Sequence, residues 1–331
     1  MNNQKRSKGI VALFLTTSVL MLSSLAFFVS SPATSAETVT MQSDIVSSYI
    51  NNSARRIASD VVGAENARLL PYDFSPAQEP DESKFSLVGE RSYYKDSTIE
   101  VECWKQVCGD VTCWFADVKI KHASQFRRQW ANGDYASKSY QYPSNMFKAS
   151  NGVVGMSADF YKHRNYGIVV QYGTVFCNKP TSYQQLDVLT IDYDGNFKIW
   201  NENELCNEIK SHGADNIMLS FTFGPALVQN GKAVEPSHWA KQTLGELHQS
   251  VGRAAIGQKG ELHYILCTAG NPGINCKSMA EIMEAQGCIT AYNLDGGQSG
   301  TLLFNGKVYN RIAYMGVERA MSDIIYFGSA E

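Results

Sequence analysis

Four two-residue turn signals constrain this chain more than any other feature. Asp194-Gly195, Asn230-Gly231, Lys259-Gly260 and Asn305-Gly306 each lie between apolar stretches. Such pairs supply the positive φ that a tight hairpin turn demands, so each predicts two antiparallel strands joined directly. The flanking residues agree. Ile99, Val101 and Cys103, then Trp114, Ala116, Val118 and Ile120, alternate as half-buried strands do. Val153-Val154 and residues 167–172, 189–191 and 218–223 are further strand candidates. Helices are fewer. Ser278-Met279-Ala280-Glu281 has the S-x-x-E capping pattern with Gly287 as its stop, and residues 122–130 and 239–248 are shorter candidates. Together these predict an α/β fold, a mixed β-sheet with hairpins flanked by helices, in a single main domain over residues 92–331.

Two segments precede that domain. Lys5, Arg6 and Lys8 lead into an apolar run at residues 10–29 that closes on Thr34-Ser35-Ala36. A basic start, an apolar stretch and a small-residue end make residues 1–36 a signal peptide or a membrane anchor, with membrane association through 10–29. Basic residues ahead of the run place the rest of the chain outside the cytoplasm, secreted or held at the cell surface or in the periplasm. Residues 37–91 combine an amphipathic helix, with Ile45, Tyr49, Ile50, Ile57 and Val61 at helical spacing, and a linker holding Pro71, Pro76 and Pro80.

Composition narrows the function classes. With 29 basic against 32 acidic residues there is no positive excess to neutralise a phosphate backbone, so nucleic acid is not the partner. Eight cysteines in an exported chain predict structural disulfides alongside buried thiols, with the pairing open. No C-x2-C pair is present, and His212, His238, His248 and His263 lack metal spacing.

The densest chemical signal is Asn293-Leu294-Asp295-Gly296-Gly297-Gln298-Ser299-Gly300-Thr301. An apolar strand delivers an amide and a carboxylate to a loop of glycines and hydroxyls, where backbone N–H groups approach a ligand closely. It is not a P-loop, since G-x4-G-K-[ST] is missing. The stretch resembles the NLDGGGS signature of the phosphodiester glycosidase family, and other blocks follow that family's order. Phe223-Gly224-Pro225-Ala226-Leu227-Val228 with Asn230-Gly231-Lys232 is similar to FGPxLVxxGK, and Arg253-Ala254-Ala255-Ile256-Gly257 to RTAIG. Ser157-Ala158-Asp159-Phe160-Tyr161 stands where the family has NGxYF, and Glu318-Arg319 with Ser322-Asp323-Ile324-Ile325 resembles its C-terminal end. The departures are Ser157-Ala158 for Asn-Gly, Gln298 for the third glycine, and Thr268-Ala269-Gly270-Asn271 in place of a DGR-like turn.

The resemblance implies hydrolysis of a sugar-1-phosphodiester, such as an N-acetylglucosamine-1-phosphodiester, in cell-surface polysaccharide or phosphoglycan metabolism. It implies Asp295 and Asp159 as catalytic carboxylates, one base or nucleophile and the other its orienter, with Arg253 on the phosphate. Gly296, Gly297, Ser299 and Thr301 would bind phosphate, Asn293 would hold a sugar hydroxyl or acetamido group, and Arg319 is a secondary phosphate contact. No cofactor is called for; a divalent metal beside Asp295 would suit phosphate, but no ligand cluster demands one. A phosphoglycan-binding relative without catalysis, and a transferase using a polymer hydroxyl, are the alternatives. Lys162, His163 and Arg164 read as a solvated basic loop.

Overall fold

The computed structural model describes residues 77–181, 185–242 and 247–331. The signal or anchor segment 1–36, the amphipathic helix within 37–63, and Pro71 and Pro76 lie outside the described residues. Among the described residues, no helix is long and apolar enough to cross a membrane.

Strands are numbered in chain order. A nine-stranded sheet runs β1 (Phe85–Val88), β2 (Arg91–Lys95), β3 (Ile99–Cys108), β4 (Val111–Ile120), β15 (His263–Ile274), β14 (Val251–Gly260), β16 (Thr290–Leu294), β12 (Ala226–Gln229), β13 (Lys232–Ala233). A five-stranded sheet runs β10 (Phe197–Asn201), β9 (Asp187–Ile191), β11 (Leu219–Phe221), β7 (Gly167–Gln171), β8 (Thr174–Lys179). A second five-stranded sheet runs β18 (Lys307–Val308), β17 (Leu302–Phe304), β6 (Gly152–Ser157), β19 (Asp323–Gly328), β5 (Phe126–Trp130). The strand pairs within all three sheets are antiparallel.

This corrects the α/β expectation. The molecule is predominantly β, three antiparallel sheets with three α-helices among the described residues: α1 (Pro143–Ala149), α2 (Glu202–His212) and α3 (Cys276–Ala285). The reason lies in the connections. Parallel strands need long, usually helical crossovers, whereas here tight turns such as Gly109-Asp110 and Glu261-Leu262 return the chain directly to its neighbour. At Asn230-Gly231 and Asn305-Gly306 both residues have positive φ, as a type I′ turn requires. Lys259-Gly260 falls at the strand end, and the turn sits one step later at Glu261-Leu262, with Leu262 at φ 48°.

Local expectations fare unevenly. α3 forms where expected, but its cap is Asn275, whose side chain accepts from the Ser278 N–H at 2.8 Å. Residues 122–130 are not a helix. A 3-10 turn at Ala123–Gln125 leads into β5, because Phe126, Arg128 and Trp130 alternate and Arg128 goes inward. In the 239–248 stretch residues 239–241 end a 3-10 helix, Pro236–Lys241, and residues 247–248 lie in a turn. The first sheet begins at Phe85, inside the expected linker.

One core takes side chains from all three sheets: Val101, Val118, Ile256 and Leu266; Leu189 and Leu219; Met156, Leu302 and Ile325. Phe126 is central, its ring 4.5 Å from Phe327 and 5.3 Å from Tyr264. On the outer faces, α3 packs Met279 and Met283 onto the nine-stranded sheet, α2 packs Leu205 and Ile209 beside Val188, and α1 packs Met146 and Phe147 beside Ile324.

The expected disulfides are not formed: all eight cysteines are free thiols. Cys113, Cys267, Cys276 and Cys288 are buried in the apolar layer beneath α3, where they act as small hydrophobic side chains. Cys113 is hydrogen-bonded to Cys267 and Cys108 on the neighbouring strands.

Removing the Phe126 ring empties the place where the sheets meet. Phe126→Ala is expected to lower unfolding stability by about 3–5 kcal/mol in urea denaturation followed by circular dichroism. A loss below ~1 kcal/mol would show that the core does not depend on this residue.

Candidate active site

The three sheets converge at the end of β16. Asp295 follows that strand directly, and its N–H donates to the Ala158 carbonyl at 2.9 Å, just past β6. Ser157, at the end of β6, donates its N–H to the Thr301 carbonyl at 3.0 Å. Its hydroxyl donates to the Asp295 carbonyl at 3.1 Å and accepts from the Thr301 N–H at 3.3 Å. The Asp295–Thr301 loop is therefore sewn to a second sheet by main-chain bonds, and the Ser157 side chain is spent on holding it.

Glycine is needed here for close approach. A Cβ on Gly296 would lie 2.5 Å from the Gly252 carbonyl oxygen, so the loop can sit against β14 only with a bare Cα. That contact brings Asp295 beside the start of β14, where Arg253 stands. The resulting cleft of about 780 Å³ is lined by Arg253, Asn293, Asp295, Gly296, Gly297 and Arg319, with Phe160, Phe223 and Tyr314 as aromatic walls.

Within the cleft each group has a distinct electrostatic setting. Burial pushes the Asp295 carboxyl up to about 7; the Arg319 guanidinium and the Ser299 hydroxyl pull it down, and Asp159 and Asp323 push it further up. Arg319 donates to the Ser299 hydroxyl at 2.6 Å and stands 3.7 Å from Asp295 Oδ2. Asn293 is 1% exposed and donates through Nδ2 to the Gly224 carbonyl at 2.7 Å, while its Oδ1 has no protein partner. A buried acceptor without a donor is what a ligand N–H or O–H satisfies. Arg253 donates from Nε to the Ile274 carbonyl and from Nη2 to the Gln249 carbonyl, both at 3.0 Å. These bonds fix its guanidinium at the cleft wall.

Ser299 and Thr301 are fully buried beneath the loop. Thr301 donates its hydroxyl to the Ser299 carbonyl at 3.0 Å, so both hydroxyls face the protein. Gln298 reaches from the cleft mouth to the Val317 carbonyl at 3.5 Å. Asn271 accepts the Tyr314 N–H at 3.2 Å, which ties the stretch that departs from the family pattern, here part of strand β15, to the loop carrying the aromatic rim. Glu318 is hydrogen-bonded to the Ser144 N–H at 3.0 Å and is not the partner of Arg319.

Asp159 lies behind the cleft and is wholly buried. Arg164 Nη2 reaches its two carboxylate oxygens at 2.6 and 2.7 Å, and Arg128 Nη2 is 3.7 Å away. The N–H groups of Thr222 and Phe160 donate to it at 3.1 and 2.7 Å. Burial pushes this carboxyl up, but Arg164, Arg128 and the two N–H groups outweigh it and hold it below the usual range. Asp323 completes the cluster: Arg128 Nε donates to its Oδ2 at 2.5 Å, and its Oδ1 accepts the Asp159 N–H at 3.2 Å.

Sequence reasoning missed Arg128, Arg164 and, as a charged partner, Asp323. Arg164 sits in the run taken for a solvated loop, yet its side chain is 3% exposed. A signal existed at Arg128: an arginine between Phe126 and Trp130 in an alternating stretch faces inward and must find a carboxylate. No group of three or more metal-ligating side chains occurs among the described residues.

Comparison with known proteins adds the following. A family described as phosphodiester glycosidase matches residues 148–328. An uncharacterised SPbeta prophage-derived protein of Bacillus subtilis (strain 168), YomE, is 29% identical over 189 residues, which is 54% of this chain and 28% of that protein. The match thus spans little more than a quarter of that relative. The zebrafish N-acetylglucosamine-1-phosphodiester alpha-N-acetylglucosaminidase catalytic domain, solved auto-inhibited by its pro-peptide, superposes with a TM-score of 0.59 at 16% identity, covering 77% of this chain and 87% of that one. A hypothetical protein from Synechocystis superposes with a TM-score of 0.50 at 14% identity, covering 72% and 64%. These structural likenesses show a shared fold.

Two stability outcomes follow from the charges. Arg164→Ala removes the main partner of a fully buried carboxylate and is expected to cost about 3–5 kcal/mol in urea unfolding, part of which Arg164→Ala/Asp159→Asn restores. Asp295 binds its proton more tightly folded than unfolded. Its contribution to stability is fully present below about pH 4 and is lost as pH rises through about 7. Asp295→Asn is therefore expected to unfold at higher temperature than wild type at pH 8 but not at pH 4; equal shifts at both would contradict the raised carboxyl.

Proposed function

This chain belongs to the phosphodiester glycosidase family over residues 148–328, and on that premise we propose that its cleft hydrolyses a sugar-1-phosphodiester at the anomeric C–O bond. The observation that carries this reading is the pairing of Asp295, a buried carboxyl raised to about 7, with the guanidinium groups of Arg319 and Arg253 on the same cleft.

The chemistry asks for such a pairing. A phosphate monoester leaves as a weak base, so little proton donation is needed, but its charge must be met by fixed cations. Arg319 supplies an exposed guanidinium at the mouth, and Arg253 one fixed by main-chain carbonyls. The attacking water must lose a proton as its oxygen bonds to the anomeric carbon. Asp295 in its carboxylate form takes that proton, and the bonding pair leaves with the phosphate oxygen. A base with a pKa near the working pH combines availability with proton affinity. Asn293 Oδ1 accepts from a sugar hydroxyl or acetamido N–H. Asp159, without solvent contact, acts through Asp295: its fixed negative charge raises that carboxyl's proton affinity.

The enzyme acts outside the cytoplasm on a cell-surface phosphoglycan in this proposal. The basic, apolar and small-residue order of residues 1–36 supports export. An N-acetylglucosamine-1-phosphodiester is the first substrate to try, because the zebrafish protein that shares the fold is named for that linkage.

Incubation with UDP-N-acetylglucosamine or a chromogenic N-acetylglucosamine-1-phosphodiester is expected to release free sugar. Asp295→Asn should lower kcat by about 10²–10⁴-fold, and the wild-type kcat should rise with pH through an apparent pKa near 7. Wild-type turnover by Asp295→Asn would remove the proposed base, and a rate that falls through pH 7 would make Asp295 a proton donor instead.

A further inference from the structure

A second cavity, of about 300 Å³, lies against the β7–β8 hairpin and is separate from the catalytic cleft. Its lining joins aromatic rings to two polar side chains, each with one buried polar atom. Tyr135 and Tyr161 stack with centroids 4.7 Å apart, and Phe176 meets Tyr135 at 4.9 Å. Tyr135 and Phe176 are half-buried, so they retain accessible ring surface.

The polar groups are Arg164 and Asn178. Arg164 spends Nη2 on Asp159 and donates from Nη1 to the Thr222 carbonyl at 3.2 Å, while its buried Nε has no hydrogen-bond partner. Asn178 donates from Nδ2 to the Cys206 carbonyl at 3.3 Å, and its buried Oδ1 has no partner. Two residues of this aromatic lining thus hold an unspent donor and an unspent acceptor. Leaving such groups desolvated is unfavourable, and a ligand that completes both recovers that loss.

We propose that this cavity is a second carbohydrate-binding site that takes one pyranose unit. Sugar hydroxyls accept from Arg164 Nε–H and donate to Asn178 Oδ1. The C–H face of the ring packs on Phe176 and Tyr135. A carboxylate or a phosphodiester would satisfy Arg164 but has no proton to give Asn178 Oδ1. The site does not depend on the reaction assigned to the cleft. Because Arg164 also holds Asp159, occupancy here bears on the side chain that anchors the charge cluster behind Asp295.

Saturation-transfer NMR with N-acetylglucosamine and with glucose tests this on the wild-type chain, Asn178→Ala, Phe176→Ala and the cleft variant Asn293→Ala/Asp295→Asn. Circular dichroism checks that each variant is folded. The expected result is millimolar binding of at least one sugar that persists in the cleft variant. It should weaken about three- to tenfold in Asn178→Ala, the loss of one hydrogen bond, and also in Phe176→Ala. Binding of neither sugar would overturn the proposal. So would binding unchanged in both cavity variants, binding abolished by the cleft variant, or displacement of the bound sugar from this cavity by inorganic phosphate. If Phe176→Ala does not fold, Asn178→Ala alone decides.

Discussion

The buried cluster of Asp159, Arg164, Arg128 and Asp323 is the interaction on which the rest of the site depends. Arg128 comes from β5 and Asp323 from β19 in one five-stranded sheet, and Asp159 follows β6 in the same sheet. The other five-stranded sheet enters through β11 and its end: Ser220 offers its carbonyl to Arg128 at 3.0 Å, and the Thr222 N–H binds Asp159. Arg128 is also held between the rings of Trp130 and Phe221, each 4.3 Å from its guanidinium carbon. Two carboxyl groups and two guanidinium groups meet here: burial raises Asp323 to about 7, while Arg164 and Arg128 hold Asp159 low. Each is affordable only because the others are in place, since a lone buried charge is strongly unfavourable.

That cluster also divides the labour between two aspartates of identical chemistry. Asp159 is surrounded by cations and N–H donors and stays ionised. Asp295, with little water and one guanidinium at 3.7 Å, is raised to about 7. Environment alone separates a fixed charge from a group able to exchange a proton near neutrality. Position follows from the same packing. The loop after β16 is stitched to β6 by main-chain bonds and pressed on β14 at a glycine, so the reactive carboxyl sits on a rigid junction.

How much of this was legible in the sequence depends on the range of the cause. Hairpins were legible because Asn-Gly turn chemistry is local, and the strands on either side alternate. The class was misjudged because the three helices are real but only cover outer faces, while the antiparallel pairing is set by turns such as Glu261-Leu262 that carry no glycine signal. Asp295, Asn293 and Arg253 were legible as a motif set, and the fold brings them to one cleft. Asp159 was singled out, yet its burial depends on Arg164 and on Arg128, whose partners lie far apart in the chain. Charged residues read as surface until a carboxylate 195 positions away claims one, as Asp323 claims Arg128. The expected disulfides were a misreading because an even count says nothing of where the thiols face; the buried thiols were expected, and Cys113, Cys267, Cys276 and Cys288 fill an apolar layer as single side chains.

The central claim is that the cleft directs water to the anomeric carbon while the guanidinium groups hold the departing phosphate. Turnover of UDP-N-acetylglucosamine in oxygen-18-labelled water, with the products read by mass spectrometry, tests it most directly. The account predicts that the label enters the released sugar and that the nucleotide product carries none. Label in the nucleotide phosphate would mean that the P–O bond is cleaved, and would contradict it.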